Sequence, residues 1–198
     1  MITSVDPPRI TVHPYRFTSS EVKDMLRAGI LHEDDRIELI DGLLVPMGPI
    51  GSAHYFCVNR CNHFLGKHTP DTVSVSVQNP LHIDAHNEPE PDIVLIDGFD
   101  VHPTPETALL VVEVSDTTLA YDRDTKLPLY AEAGIPEVWI VNLQARQVEV
   151  YREPKGTTYG LRRLLDTEDM LSIKILPDAE PIAVSDILPP PDSSDADS

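Results

Sequence analysis

Two hydrophobic periods run along this chain, and where each holds predicts the elements. Strict alternation marks "TVSVSVQ" (residues 72–78) as a half-buried strand. Continuous apolar runs mark "PDIVLID" (91–97) and "ALLVVEVS" (108–115) as buried strands. "PLHID" (80–84) reads as a short partner strand, and "PEVWIVN" (136–142), "QVEVYRE" (147–153) and "YGLRRLL" (159–165) as three more. "RIELIDGLLVPM" predicts a hairpin, with strands over 36–40 and 43–47 joined by an Asp41-Gly42 turn. Helical spacing appears in "GSAHYFCVNRCNHFLGKH" (51–68), where His54, Cys57, Val58, Cys61 and Leu65 share one face. "TSSEVKDMLRAGI" is a shorter helix, with Thr18 or Ser19 as cap and Glu21 and Asp24 in its first turn. "DRDTKLPLYAEAG" reads as a helix from an Asp122 cap to a Gly134 stop, with Pro128 marking a kink or a loose first turn. Strands interleaved with helices predict an α/β (mixed α+β) fold.

Composition sets the boundaries. At 198 residues and 41% hydrophobic, the chain suits one domain with a real core. Residues 1–17 hold several prolines and read as an extended arm, 18–176 as a single domain, and 177–198 as an acidic, Pro-rich tail. The last ~10 residues of that tail carry too few apolar groups to order. No apolar run is long enough for a membrane span, and "MITSVDPPRI" lacks the pattern of a signal peptide. Cys57 and Cys61 lie at helical spacing, so a reduced, cytoplasmic protein with two core cysteines is expected.

Charge changes the picture more. The net charge is −18, which excludes nucleic-acid binding through a global basic field. Between His68 and Asp122 there is no Lys or Arg at all, yet Asp84, Glu88, Glu90, Asp92, Glu106 and Glu113 all fall there. Three acids stand at strand positions where an acid is unexpected: Glu38 in "RIELI", Asp92 opening "PDIVLI", and Glu113 inside "VVEVS". Burying an unpaired carboxylate costs several kcal/mol, so Glu113 needs a cation or a cavity. Carboxylates brought together repel unless a cation sits between them, and Mg²⁺ or Mn²⁺ takes oxygen ligands of this kind. Lys126, on the following helix, could add a fixed ammonium. Carboxylates, a divalent metal and a lysine together make a phosphodiester-hydrolysis site. Plainer readings stand beside this one. Asp92 can be a turn residue after Pro91, Glu113 can pair with Arg36 or Arg60, Lys126 with Asp122, and Glu38 with Arg36 or Lys23.

"RIELIDGLLV", His54 at a helix start, "EPDIVLI" and "VVEVSDTTLAYDRDTKLPLYAEAGIPEVWIVN" occur in that order and together resemble the Uma family of endonuclease-like proteins, within the PD-(D/E)XK, restriction-endonuclease-like superfamily. The resemblance covers roughly Thr18 to Arg152, and Val111 to Asn142 is its most specific part. It implies a mixed central sheet flanked by helices and a metal-dependent endonuclease acting on DNA, with Mg²⁺ or Mn²⁺ as cofactor. Carried over residue by residue, Asp92 is the acid of the "PD" half and Glu113 the first acid of the other half. The lysine of that half would fall at 115, which is Ser115 here, and Lys126 takes its place from the next helix. Glu38 is the extra acid, so that Asp92, Glu113 and Glu38 are the expected metal ligands. His54, Gln78 and Ser115 are expected to line the site.

Other chemistry is thinly represented. His54, Cys57, Cys61 and His63 cluster, but not at zinc-finger or ribbon spacing. His82 and His86 lie in a loop leading to Asp92 and read as non-ligands, and Trp139 and Tyr130 read as core. No Gly-rich phosphate loop, nucleophile elbow or HExxH helix is present. A catalytically silent scaffold and a hydrolase of small phosphate esters are the competing functions, the −18 charge favouring the first. A homodimer would give two sites for two strands, with "PEVWIVN" and "QVEVYRE" as a possible edge.

Overall fold

The computed structural model describes residues 13–32, 34–99 and 101–190. In chain order its elements are α1 (Ser19–Arg27), β1 (Ile37–Ile40), β2 (Leu43–Pro46), α2 (Ser52–His68), β3 (Val73–Val77), β4 (Ile93–Asp97) and β5 (Ala108–Ser115). They continue with α3 (Leu119–Tyr121), a π-helical turn (Asp122–Lys126), α4 (Leu127–Glu132), β6 (Glu137–Asn142), β7 (Gln147–Lys155) and β8 (Thr158–Leu165). The chain then closes with β9 (Met170–Leu171), β10 (Ile182–Ala183) and α5 (Val184–Ile187).

Six strands form one mixed sheet in the order β3-β4-β5-β6-β7-β8. Every neighbouring pair is antiparallel except β5 and β6, which run parallel. A parallel pair needs a crossover, and the helical segment from Leu119 to Glu132 supplies it. Alternation then divides β5 between two cores. Val112 and Val114, with Trp139 and Val141 of β6, pack under Cys57, Cys61 and Leu65 of α2. Val111, with Val138 and Ile140, packs under Tyr130 and Ala131 of α4. Trp139 and Tyr130 are both core residues, on opposite faces of the sheet. Glu113 shares the parity of Val111 and so faces the α4 side, where it is 3% exposed.

β1 and β2 form a separate hairpin. Its turn has positive φ at Asp41 (49°) and Gly42 (69°), the backbone twist that suits a two-residue hairpin loop. A Cβ on Gly42 would meet the Cβ of Arg16 at 2.7 Å, so only glycine fits there. The hairpin docks through a bridge between Leu39 and Glu88, whose N–H donates to the Leu39 carbonyl at 2.8 Å. This bridge brings Glu38 beside the segment that leads into Asp92. Thr18 caps α1 in a complete capping box with Glu21.

Four sequence expectations differ from the structure. "PEVWIVN" and "QVEVYRE" are β6 and β7, each paired on both sides inside the sheet rather than forming an edge. "PLHID" is not a strand: Leu81 and His82 donate to the carbonyls of Pro89 and Pro103, and the fully buried Leu81 plugs the α4-side core. The helix after β5 starts at Leu119 rather than at an Asp122 cap, because Asp122 is buried within it as an acceptor for Ser115 and Thr118. The domain also continues past residue 176. β10 pairs with β9, and Val184 and Ile187 bury against the α2-side core. Short apolar pieces set among prolines and acids had disguised this segment as tail. Residues 1–12 of the expected arm, and 191–198 of the expected disordered end, lie outside the described residues. Among the described residues no helix is long and apolar enough to cross a membrane.

Candidate active site

The register of the sheet lines up the expected acids. Ile93 pairs with Val112, so Asp92, one residue earlier, comes abreast of Glu113 at the end of the β4–β5 ladder. The N–H of Gln78 donates to the Asp92 carbonyl at 3.0 Å, which extends the row into the β3 side. Gln78 holds a φ of 50°, an uncommon conformation for a non-glycine residue and one that clusters at functional sites. The Asp92 carboxylate is fixed from three directions. Val114 N–H donates to Oδ2 at 2.8 Å, His54 Nε2 lies 3.1 Å from each oxygen, and Gln78 Nε2 lies 3.4 Å from Oδ1. His54 reaches it from the first turn of α2, whose Gly51 N-cap offers no side-chain oxygen of its own.

Lys126 answers what Glu113 meets. Its ammonium lies 3.2 Å from Glu113 Oε1 and 3.1 Å from Glu38 Oε2, with its side chain 6% exposed. The π-helical turn explains its placement. Pro128 has no N–H for the carbonyl of Asp124 and would crowd it in a regular helix. The chain widens instead, with Leu127 N–H donating to Asp122 five residues back. Asp122 and Lys126 both end up buried on its inner side. Tyr130, one further turn on, donates to Glu113 Oε1 at 2.5 Å, and Tyr121 donates to Glu38 Oε1 at 2.8 Å. Glu90 N–H donates to Glu38 Oε2 at 3.2 Å.

This arrangement holds more negative than positive charge. Burial pushes the Glu113 carboxyl up to about 8, against the pull of Lys126 and with Asp122 and Asp92 adding to the rise. Burial likewise raises Asp122 and Glu90 above the usual carboxylate range. Burial works against the charge of Lys126, but Glu113 and Glu38 outweigh it and hold the ammonium above its ordinary value. A buried ammonium surrounded by acids stays protonated.

The structure brings Glu38, Asp92, Glu113, Lys126 and His54 onto one cavity of about 500 Å³. Gln78 supports it through Asp92, and Ser115 sits behind it, fully buried and donating to Asp122 Oδ2 at 2.6 Å. The two plain pairings expected for Glu113, with Arg36 or Arg60, do not form. Sequence reasoning passed over Tyr121 and Glu90 as site residues, took Asp122 as a cap or a surface partner of Lys126, and took Tyr130 only as core. The spacing of Asp122, Lys126 and Tyr130 at four-residue steps was the available signal, since it places all three on one helix face.

As for metal, no group of three or more His, Cys, Asp and Glu side chains converges tightly enough to hold an ion among the described residues. Glu38 is engaged by Lys126, Tyr121 and the Glu90 N–H, so it belongs with the lysine. Asp92 and Glu113 form a pair, and among the described residues no donor reaches Glu113 Oε2.

The sequence model of the Uma2 family, described as "Putative restriction endonuclease", matches residues 21–185, and the chain belongs to that family. Among solved structures it is similar to a crystal structure titled "a putative nuclease belonging to DUF820" from Anabaena variabilis ATCC 29413, with a TM-score of 0.68. That match has 12% identity and covers 86% of this chain and 97% of the other, a likeness of fold. No curated protein matches.

Proposed function

We propose that this Uma2-family chain is a nuclease that hydrolyses phosphodiester bonds of DNA with a divalent cation, Mg²⁺ or Mn²⁺, held by Asp92 and Glu113. The observation that carries the reading is the pairing of these acids abreast on adjoining strand ends, beside a buried lysine, in one cavity. The donor set fits such an ion. Two carboxylates line one cavity, Glu113 Oε2 accepts from no donor among the described residues, and a hard cation completes its shell with water or phosphate oxygens. Bound there, the cation would polarise the phosphate and lower the pKa of an attacking water.

The chain's own residues supply the rest. Lys126 keeps a charged ammonium at the cavity wall, where it can neutralise a phosphate oxygen or orient water. Glu38 serves as its anchor, tied in turn to Tyr121 and the Glu90 amide. His54 and the Val114 N–H hold Asp92 in one orientation. A silent scaffold is the second reading, favoured by the −18 charge.

Calorimetric titration of Mn²⁺ into the wild type and Asp92→Asn separates the two. Micromolar to millimolar binding that disappears in the variant supports the nuclease and warrants a cleavage screen. No binding in either protein overturns the metal site and favours the scaffold.

A further inference from the structure

The cavity has two kinds of lining. Lys126, Glu38, Glu113 and Asp92 form the ionic one. Val45 and Pro46 of β2 and then Met47, Pro49 and Ile50 also line it and are apolar. Ile50 remains 42% exposed, so this apolar lining is open to an incoming group. Arg36 also lines the cavity, with Nη1 donating to the Gly48 carbonyl at 2.6 Å. The cavity volume is about 500 Å³, within the ~300–1,000 Å³ usual for sites that enclose a small organic ligand.

A phosphate and its waters need only the ionic lining. A cavity lined both by a fixed cation and by a run of apolar side chains suits a charged phosphate joined to a ring. Resting on the nuclease reading, we infer that the cavity seats one nucleotide unit that is not base-paired, its base against the apolar lining and its phosphate toward Lys126. A stacked, paired base cannot enter such a pocket, and extruding one costs a few kcal/mol. Duplex binding would also draw on several Lys and Arg contacts to phosphates. Arg36 and Lys126 are the only Lys or Arg side chains on this cavity among the described residues, against Glu38, Glu90, Asp92, Glu113, Asp116 and Asp122. The unit can come from a single strand or from a free mononucleotide.

Fluorescence anisotropy with a dye-labelled single-stranded 12-mer tests this in metal-free buffer, with the matching duplex and unlabelled mononucleotides as competitors. The single strand should bind at least tenfold more tightly than the duplex. Val45→Trp fills the apolar side, and Ile50→Glu, in an exposed loop position, serves should the first misfold. Each should weaken the single strand about tenfold while leaving the Mn²⁺ titration unchanged. Mononucleotides competing at strand-like concentrations assign the seat to free nucleotides, and competition only at far higher concentrations assigns it to strands. Either result supports the base seat. Equal or tighter duplex binding, unchanged affinity in both variants, or no nucleotide binding at all overturns it. The metal titration judges the nuclease reading separately, so the two can fail independently.

Discussion

Glu113 is the residue on which most of the site's energetics turn. Its carboxyl ordinarily loses its proton near 4.5, but in the fold it holds the proton up to about 8. The native state therefore binds more protons than the unfolded chain between those values, and stability must fall as pH rises through that window, by up to about 1.4 kcal/mol per unit. Glu113→Gln should flatten this decline in metal-free protein, gaining stability relative to wild type at pH 8 and little at pH 5. Urea unfolding at the two pH values measures it, and equal slopes for both proteins would refute the assignment. The same raised carboxyl should release a proton when Mn²⁺ binds at pH 7, so the titration heats should differ between buffers of different ionisation enthalpy. Lys126→Met removes the ammonium that both Glu38 and Glu113 contact. It should cost about 3–5 kcal/mol in urea unfolding. At this scale the sequence was informative wherever a charge interrupted an apolar strand. Glu38, Asp92 and Glu113 announced themselves because an acid in "RIELI", "PDIVLI" or "VVEVS" is expensive. Asp122 did not, since an acid ahead of a helix is also what a cap looks like.

Among elements, the π-helical turn decides whether the site exists. Pro128 was legible as a disturbance, but not its outcome. A kink, a loose turn and a widened turn all relieve the same missing hydrogen bond, and only the anchoring of Asp122 by Ser115 and Thr118 selects the last. Asp122→Ala removes that anchor and leaves the Ser115 hydroxyl buried without its acceptor. It should cost about 1–3 kcal/mol, and amide exchange over 119–132 should quicken more than in β6 or β7. The strands of the main sheet were plain in the sequence because buried alternation is dictated locally. "PLHID" misled because its apolar residues fill a core gap without forming a ladder, and residues 182–187 because elements this short acquire their stability from long-range packing alone.

For the molecule as a whole, the −18 charge opposes broad contact with a polyanion such as the proposed substrate. A protein that grips a duplex loses affinity steeply with salt, with a slope of about −0.9 for each phosphate neutralised. With Arg36 and Lys126 as the cavity's two fixed cations, log affinity for a single strand should fall against log salt with a slope no steeper than about −2. Salt should also raise the melting temperature of the free protein by screening its self-repulsion. A steep slope would point to a basic surface elsewhere on the molecule.

The closing segment of the fold carries a consequence for how the molecule is made. Val184 and Ile187 are buried at 0% and 1% exposure against the core that α2 covers, and Arg60 of α2 donates through Nε to the Asp186 carbonyl at 2.6 Å. The helix that presents His54 is thus clamped by residues synthesised more than a hundred positions after it. On the ribosome, β1 through β8 can emerge and begin to pair while this clamp is still missing, and α2 has nothing to hold its outer side. The candidate cavity is then among the last parts of the fold to set, after Ile187 has been made.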